Sequence, residues 1–119
     1  MSFRDFKVNQ KASGLAMEIF EVSKCFPKEE RYPLTDQTRR SSRSVCVNFA
    51  EGYRKRRYEK HFLAKVSDSG MENAETQSWL EFALACKYID QETFDKLQSE
   101  SVEVGKLLGF MIRNPKRFT

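Results

Sequence analysis

Proline is scarce in this sequence, with three in 119 residues, and Pro27, Pro33 and Pro115 all fall where helical patterns stop. Punctuation so sparse leaves room for long uninterrupted helices. Cysteine is as scarce: Cys25, Cys46 and Cys86 form no CxxC pair and make an odd count. Neither a disulfide framework nor a zinc site is indicated, and the three are expected as small core residues. His61 is the single histidine. Without a second His or a Cys pair beside it, metal binding has no support, and it reads as a surface side chain among basic neighbours. No apolar run approaches the roughly 20 residues that span a bilayer, so no membrane contact is expected. The N-terminus MSFRDFKVNQ lacks the basic, apolar, small-residue order of a secretory signal, which places the expectation in the cytoplasm. There is no Gly-rich phosphate loop, nothing implies a cofactor, and a nucleophile–base pair would have to use His61. A catalytic set is therefore absent from the sequence, and no enzyme is expected.

What the chain does have is apolar content: 39% hydrophobic residues with ten phenylalanines. That is too rich for a disordered protein. The length suits one core, so residues 1–119 are expected to form a single domain. Ala12, Leu15, Ala16, Ile19 and Phe20 recur at three- and four-residue steps, predicting a first helix from about Val8 to Cys25. After the polar connector KEERYP, Thr35 is the expected N-cap of a second helix that runs to about Gly52. A third should start near Tyr58 or Glu59 and run to about Ile89. Asp90 then caps a fourth, marked by Phe94, Leu97, Ser101, Val104, Leu108 and Met111. No segment of useful length repeats at period two. The expected fold is all-α, an antiparallel up-and-down four-helix bundle, because short connectors force consecutive helices to lie side by side.

The stretch Thr38 to Lys60, TRRSSRSVCVNFAEGYRKRRYEK, holds eight of the twenty-one basic residues. Placed at about 100° per residue, Leu34, Thr38, Ser41, Ser42, Val45, Phe49 and Gly52 share one face, and Arg39, Arg40 and Arg43 point away from it. A solvated arginine–serine tract has no reason to sort its residues at helical period, so this is a helix. Cys46, Val47 and Ala50 lie on its outer half, and an apolar surface there predicts contact with a second subunit. The joint after Gly52 adds Arg54, Lys55, Arg56, Arg57 and Lys60, interleaved with Tyr53 and Tyr58, the residue types that phosphate binding and base stacking use. Charge is polarised along the chain: residues 39–60 carry eight basic against two acidic side chains, and 72–104 carry two against eight. Such a surface suits an anionic partner or the opposite end of another copy. The stripe Ser101, Gly105, Gly109 offers a close-approach surface, expected inside the bundle.

FKVNQKA (Phe6–Ala12), FPKEERYPLTDQTRR (Phe26–Arg40), SVCVNFAEGYRKR (Ser44–Arg56) and ETQ (Glu75–Gln77) together resemble the bacterial four-helix-bundle family encoded by intervening sequences in 23S rRNA genes. The best-marked block, Asn48-Phe49-Ala50-Glu51-Gly52, is similar to that family's N-x-A-E-G. The resemblance implies a homopentameric barrel of bundles with a basic surface, and a relation to the accessory protein of diversity-generating retroelements, which binds a reverse transcriptase and nucleic acid. It implies no catalytic residues. Cys46 stands where the family often has Pro and Asn9 where it usually has Trp, so an unkinked second helix and less aromatic packing on the first are expected. Asn48, Glu51, Glu75 and Gln77 match family positions and are expected to hydrogen-bond between helices and fix their register.

The resulting expectation is a ring-like homo-oligomer that binds nucleic acid, RNA above all, as a non-enzymatic accessory protein. Its phosphate contacts would be Arg39, Arg40, Arg43, Arg54, Lys55, Arg56, Arg57 and Lys60. The alternative is a protein-interaction module whose basic face docks a nucleic-acid-processing partner.

Overall fold

The computed structural model describes residues 2–119, which form helices and turns with no strand among them. The four long helices are α1 (Lys7–Ser23), α2 (Asp36–Arg54), α3 (Glu59–Ala85) and α4 (Gln91–Arg113). Each packs on its sequence neighbours and α1 also packs on α4, the contact pattern of an up-and-down bundle. The body measures 44 × 24 × 21 Å, and its long axis matches the about 40 Å that 27 residues of helix require.

Helical periodicity selects the buried faces. Leu34, Thr38, Ser41, Ser42, Val45, Phe49 and Gly52 are all buried, the face that the 100° step picks out. Val8, Val45, Phe49, Phe62, Val66, Val104, Leu108 and Met111 form the core of one half of the bundle, and Leu15, Ile19, Leu80 and Leu97 that of the other. Between them α3 and its neighbours bury a polar layer in which every partner is found. Ser41 Oγ and Thr76 Oγ1 lie 2.8 Å apart, and Asn73 Nδ2 donates to the Ser101 carbonyl at 2.9 Å. Ser101 Oγ donates to Asn73 Oδ1 at 2.9 Å while accepting from Gln77 Nε2 at 3.0 Å. Slipping one helix past the other would strand these groups in an apolar interior, so the layer fixes register. Ser101 and Gly105 of the small-residue stripe serve this layer, since a Cβ at Gly105 would stand 3.3 Å from Asn73 Nδ2.

Four expectations are corrected. Thr35 caps nothing: a wide π-helical turn, Arg31–Thr35, feeds into α2, and the Asp36 N–H already donates to the Arg31 carbonyl. Gly52 does not end α2, which runs on to Arg54 without interruption from Asp36. It is a close-approach residue, because a Cβ there would meet Lys65 Cβ at 3.1 Å and Val66 Cγ2 at 3.5 Å. The cysteines are not core residues. Cys25 lies beyond the last turn of α1 and Cys86 caps α3, both exposed at helix ends, and Cys46 is half-buried against Ser13 at 3.6 Å. Finally, α3 stops at Ala85 and not near Ile89, which is buried beyond the turn.

That stop is a Schellman turn: the Lys87 N–H donates to the Leu84 carbonyl and the Tyr88 N–H to the Ala83 carbonyl, both at 2.9 Å. It forces Lys87 to φ 66°, a region glycine enters without steric cost. Lys87→Gly is therefore expected to stabilise the fold by roughly 0.5–1 kcal/mol, read as a higher urea midpoint with an unchanged m-value.

Candidate nucleic-acid interface

In an up-and-down bundle of four helices the two termini and the α2–α3 joint share one end. Aromatic side chains from all three meet there. Phe6 touches Phe49 edge-on at 5.7 Å between ring centroids, Tyr53 at 5.3 Å and Phe118 at 6.3 Å. Phe118, just beyond a short 3-10 turn Pro115–Arg117, also stacks on Phe62 at 6.3 Å and meets Phe110 edge-on at 6.2 Å. Lys116 Nζ lies 3.2 Å from Glu59 Oε1, an ion pair outside hydrogen-bond geometry. This packing gives the joint a rigid floor.

On that floor the joint displays Arg54, Lys55, Arg57 and Lys60, all exposed and none paired with an acid among the described residues. Arg56 is held differently: its guanidinium lies 4.0 Å over the Tyr53 ring and its Nη1 donates to the Tyr53 carbonyl at 3.0 Å. Arg54, Arg56, Arg57, Tyr58 and Thr119 line an open groove of about 550 Å³. No side chain caps the start of α3 at Tyr58.

The three arginines of α2 belong to a different place and are differently used. Arg40 reaches across to α3, with Nη1 3.0 Å from Glu72 Oε2 and Nη2 on Glu75, so its charge is already countered. Arg39 Nε donates to Ser23 Oγ at 2.8 Å, and both Arg39 and Arg43 lie over the Phe20 ring, at 4.7 and 5.7 Å. With Asp36, Ser44 and Val47 these arginines line a shallow groove of about 480 Å³ on the outer face of α2. The eight basic residues thus fall into two sets, one on the helix and one at the end of the bundle. Of the apolar residues expected outward on α2, Val47 is 55% exposed, whereas Cys46 turns into the α1 contact and Ala50 is half-buried.

Asn48, Glu51, Glu75 and Gln77 make interhelical contacts. Lys65 Nζ donates to Asn48 Oδ1 at 3.3 Å and pairs with Glu51 at 3.2 Å, Glu75 receives Arg40 as well as Trp79 Nε1, and Gln77 joins the Ser101 layer. His61 is exposed and its ring lies 5.6 Å from that of Tyr58. Among the described residues no three His, Cys, Asp or Glu side chains come together as a metal would need, and no helix is long and apolar enough to cross a membrane. Burial pushes the Cys46 thiol up, away from thiolate reactivity. The Tyr88 hydroxyl, donating to Glu30 Oε2 at 2.8 Å, is pushed up to about 12 by that bond.

The acidic side of the bundle has its own strain. Glu100 lines a small cavity of about 170 Å³ with Lys11, Gly14, Leu15 and Glu18. Burial and the neighbouring Glu18 raise its pKa above the ordinary carboxylate value, while Lys96 and Lys11 oppose the shift. A raised folded value means that ionising Glu100 costs the folded state, fully at neutral pH and no longer once pH falls below about 4. Glu100→Gln should therefore raise the melting temperature at neutral pH, with the gain shrinking on acidification. Thermal scans across that range read it directly.

Fold and joint together define a small all-α bundle with a cationic, aromatic-floored end. The chain belongs to the 23S rRNA-intervening sequence protein family, whose model matches residues 4–109. Among solved structures it is similar to a protein of unknown function from the S23 ribosomal protein family of Bacteroides thetaiotaomicron VPI-5482. The two share 27% identity with a TM-score of 0.81, over 90% of this chain and 99% of that one. No curated protein matches.

Proposed function

We propose that this protein is a non-enzymatic, nucleic-acid-binding accessory protein, with RNA the expected ligand, that grips phosphates through the α2–α3 joint. The observation that carries this reading is the set Arg54, Lys55, Arg57 and Lys60, four exposed cations with no acidic partner among the described residues, on a joint held rigid by packed rings. Cations without an acidic partner are free to neutralise phosphates, which releases the counterions condensed on the nucleic acid, and the packed rings fix the backbone from which they reach. Fluorescence anisotropy with a labelled RNA tests it. Affinity should fall linearly in log–log form as salt rises, and no binding at low salt would overturn the reading.

The same proposal includes self-association as a closed ring, with five subunits as the resemblance implies. Its support is the α2 outer groove, where exposed Val47 stands beside Arg39 and Arg43, facing a chain whose residues 72–104 are strongly acidic. Head-to-tail contact between unlike surfaces closes into a ring when the rotation between neighbours divides a full turn, and otherwise runs on as a filament. Light scattering should give roughly 70 kDa, five times the 14.0 kDa chain; a monomer or dimer at micromolar concentration contradicts it.

The second reading, a module that docks a nucleic-acid-processing protein, is favoured by that α2 groove alone, since its mix of arginine and valine suits a polypeptide. It predicts no direct affinity for generic RNA.

A further inference from the structure

Tyr58 stands where a helix wants a different residue. It is the N-cap of α3, with extended backbone at φ −111° and ψ 98°, and it makes no side-chain cap. Ser, Thr, Asp or Asn there would accept a hydrogen bond from the first turn and stabilise the helix; an aromatic ring cannot. Nor is the ring used in the core. It is 59% exposed, touching the exposed His61 at 5.6 Å with a 41° tilt. The position therefore gives up a capping interaction to place an aromatic surface in solvent, beside arginines.

The groove beside it has two walls. One is the joint, with Arg54 and Arg57 exposed and Arg56 pinned over Tyr53. The other is the C-terminal segment, which brings Thr119 to the groove and is clamped by the Phe118 ring contacts. Residues 110–119 lie outside the stretch that matches the family model, so this wall is built from sequence beyond that match. At about 550 Å³ the groove falls within the range of small-molecule sites.

Resting on the nucleic-acid reading above, we propose that this groove takes an unpaired nucleotide of a single-stranded nucleic acid, its base stacked on Tyr58 and its phosphate held by Arg54 and Arg57. Duplex bases already cover one another's faces and offer nothing to an exposed ring, whereas a single strand presents them. Stacking is indifferent to base identity, so the site selects strandedness and not sequence.

Tyr58→Asn separates this role from a structural one, because asparagine caps α3. The variant should melt higher than the parent and yet bind a labelled oligoadenylate about tenfold more weakly, the worth of one stacked base. Its affinity for an RNA duplex of equal length should be unchanged, and Tyr58→Phe, which keeps the ring, should bind the single strand as the parent does. Unchanged single-strand affinity in Tyr58→Asn, with Arg54→Gln/Arg57→Gln weakened, overturns the stacking proposal and leaves the phosphate-binding reading intact. Equal losses for single strand and duplex also overturn it. Failure of the parent protein to bind either RNA at low salt removes the nucleic-acid reading and this proposal with it.

Discussion

The quadruple change of Arg54, Lys55, Arg57 and Lys60 to glutamine is expected to weaken RNA binding about a thousandfold at low salt and to flatten the log–log salt dependence by about 3. Each phosphate contact on a single strand contributes roughly 0.7 to that slope, so losing four removes most of the counterion release. These side chains are exposed and make no ion pair among the described residues, so fold and assembly should survive the change. Arg56 is left in place because its guanidinium belongs to the Tyr53 packing as much as to the groove. The companion change of Arg39, Arg40 and Arg43 to glutamine should behave oppositely. It strands Glu72 and Glu75 beside a neutral side chain and removes the Ser23 bond, costing on the order of 1 kcal/mol of stability for these half-exposed contacts. RNA affinity measured by anisotropy, beside thermal melts of both variants, checks the pair. Loss of the oligomer in the second variant with RNA binding untouched in the first would move the basic surface from recognition to assembly.

Much of this fold is legible in the sequence because α-helical burial is a matter of angle. The residues from Leu34 to Gly52 that fall on the inward arc of α2 are buried, and Asp90 accepts from the Thr93 N–H at 2.8 Å as its place before α4 demands. The corrected positions share a physical cause. Residue type alone misplaces Cys25, Cys86 and Thr35, because their surroundings depend on where a helix ends and how the chain continues beyond it. Glycine has two uses, ending a helix or admitting a neighbour, and Gly52 serves the second. Arg40 points outward on its own helix wheel, and only the packing of α3 shows that Glu72 and Glu75, three residues apart, stand within its reach.

The candidate site is half legible for a similar reason. Its cations are nearly contiguous in sequence, whereas its floor and second wall draw on Phe6 and Phe118 at opposite ends of the chain. Periodicity along one segment carries no information about such a meeting. Topology does: with four antiparallel helices, both termini and the second joint must share an end, and aromatic residues at all three mark it in advance.

Phe49→Ala and Val47→Asp change residues two positions apart on α2 and should fail in opposite ways. Phe49 is 1% exposed, packs edge-on against Phe6 and belongs to the core below the joint. Truncating it leaves a cavity costing about 3–5 kcal/mol, which for a domain of this size lowers the melting temperature by about 12–20 °C at fixed protein concentration. Val47 is 55% exposed and lies outside the core, so aspartate there should change the stability of one subunit by no more than about 0.5 kcal/mol. If α2 meets the acidic surface of a neighbouring subunit, however, the same aspartate offsets the charge of Arg39 and Arg43 and sets a like charge against that surface, and the ring should dissociate into folded subunits. Circular dichroism separates the first outcome, loss of helix on mild heating, from the second, and light scattering reads the second directly. A Val47→Asp protein that keeps the parent's mass would show that α2 is not the assembly face, and the α2 groove would then be open to a different partner.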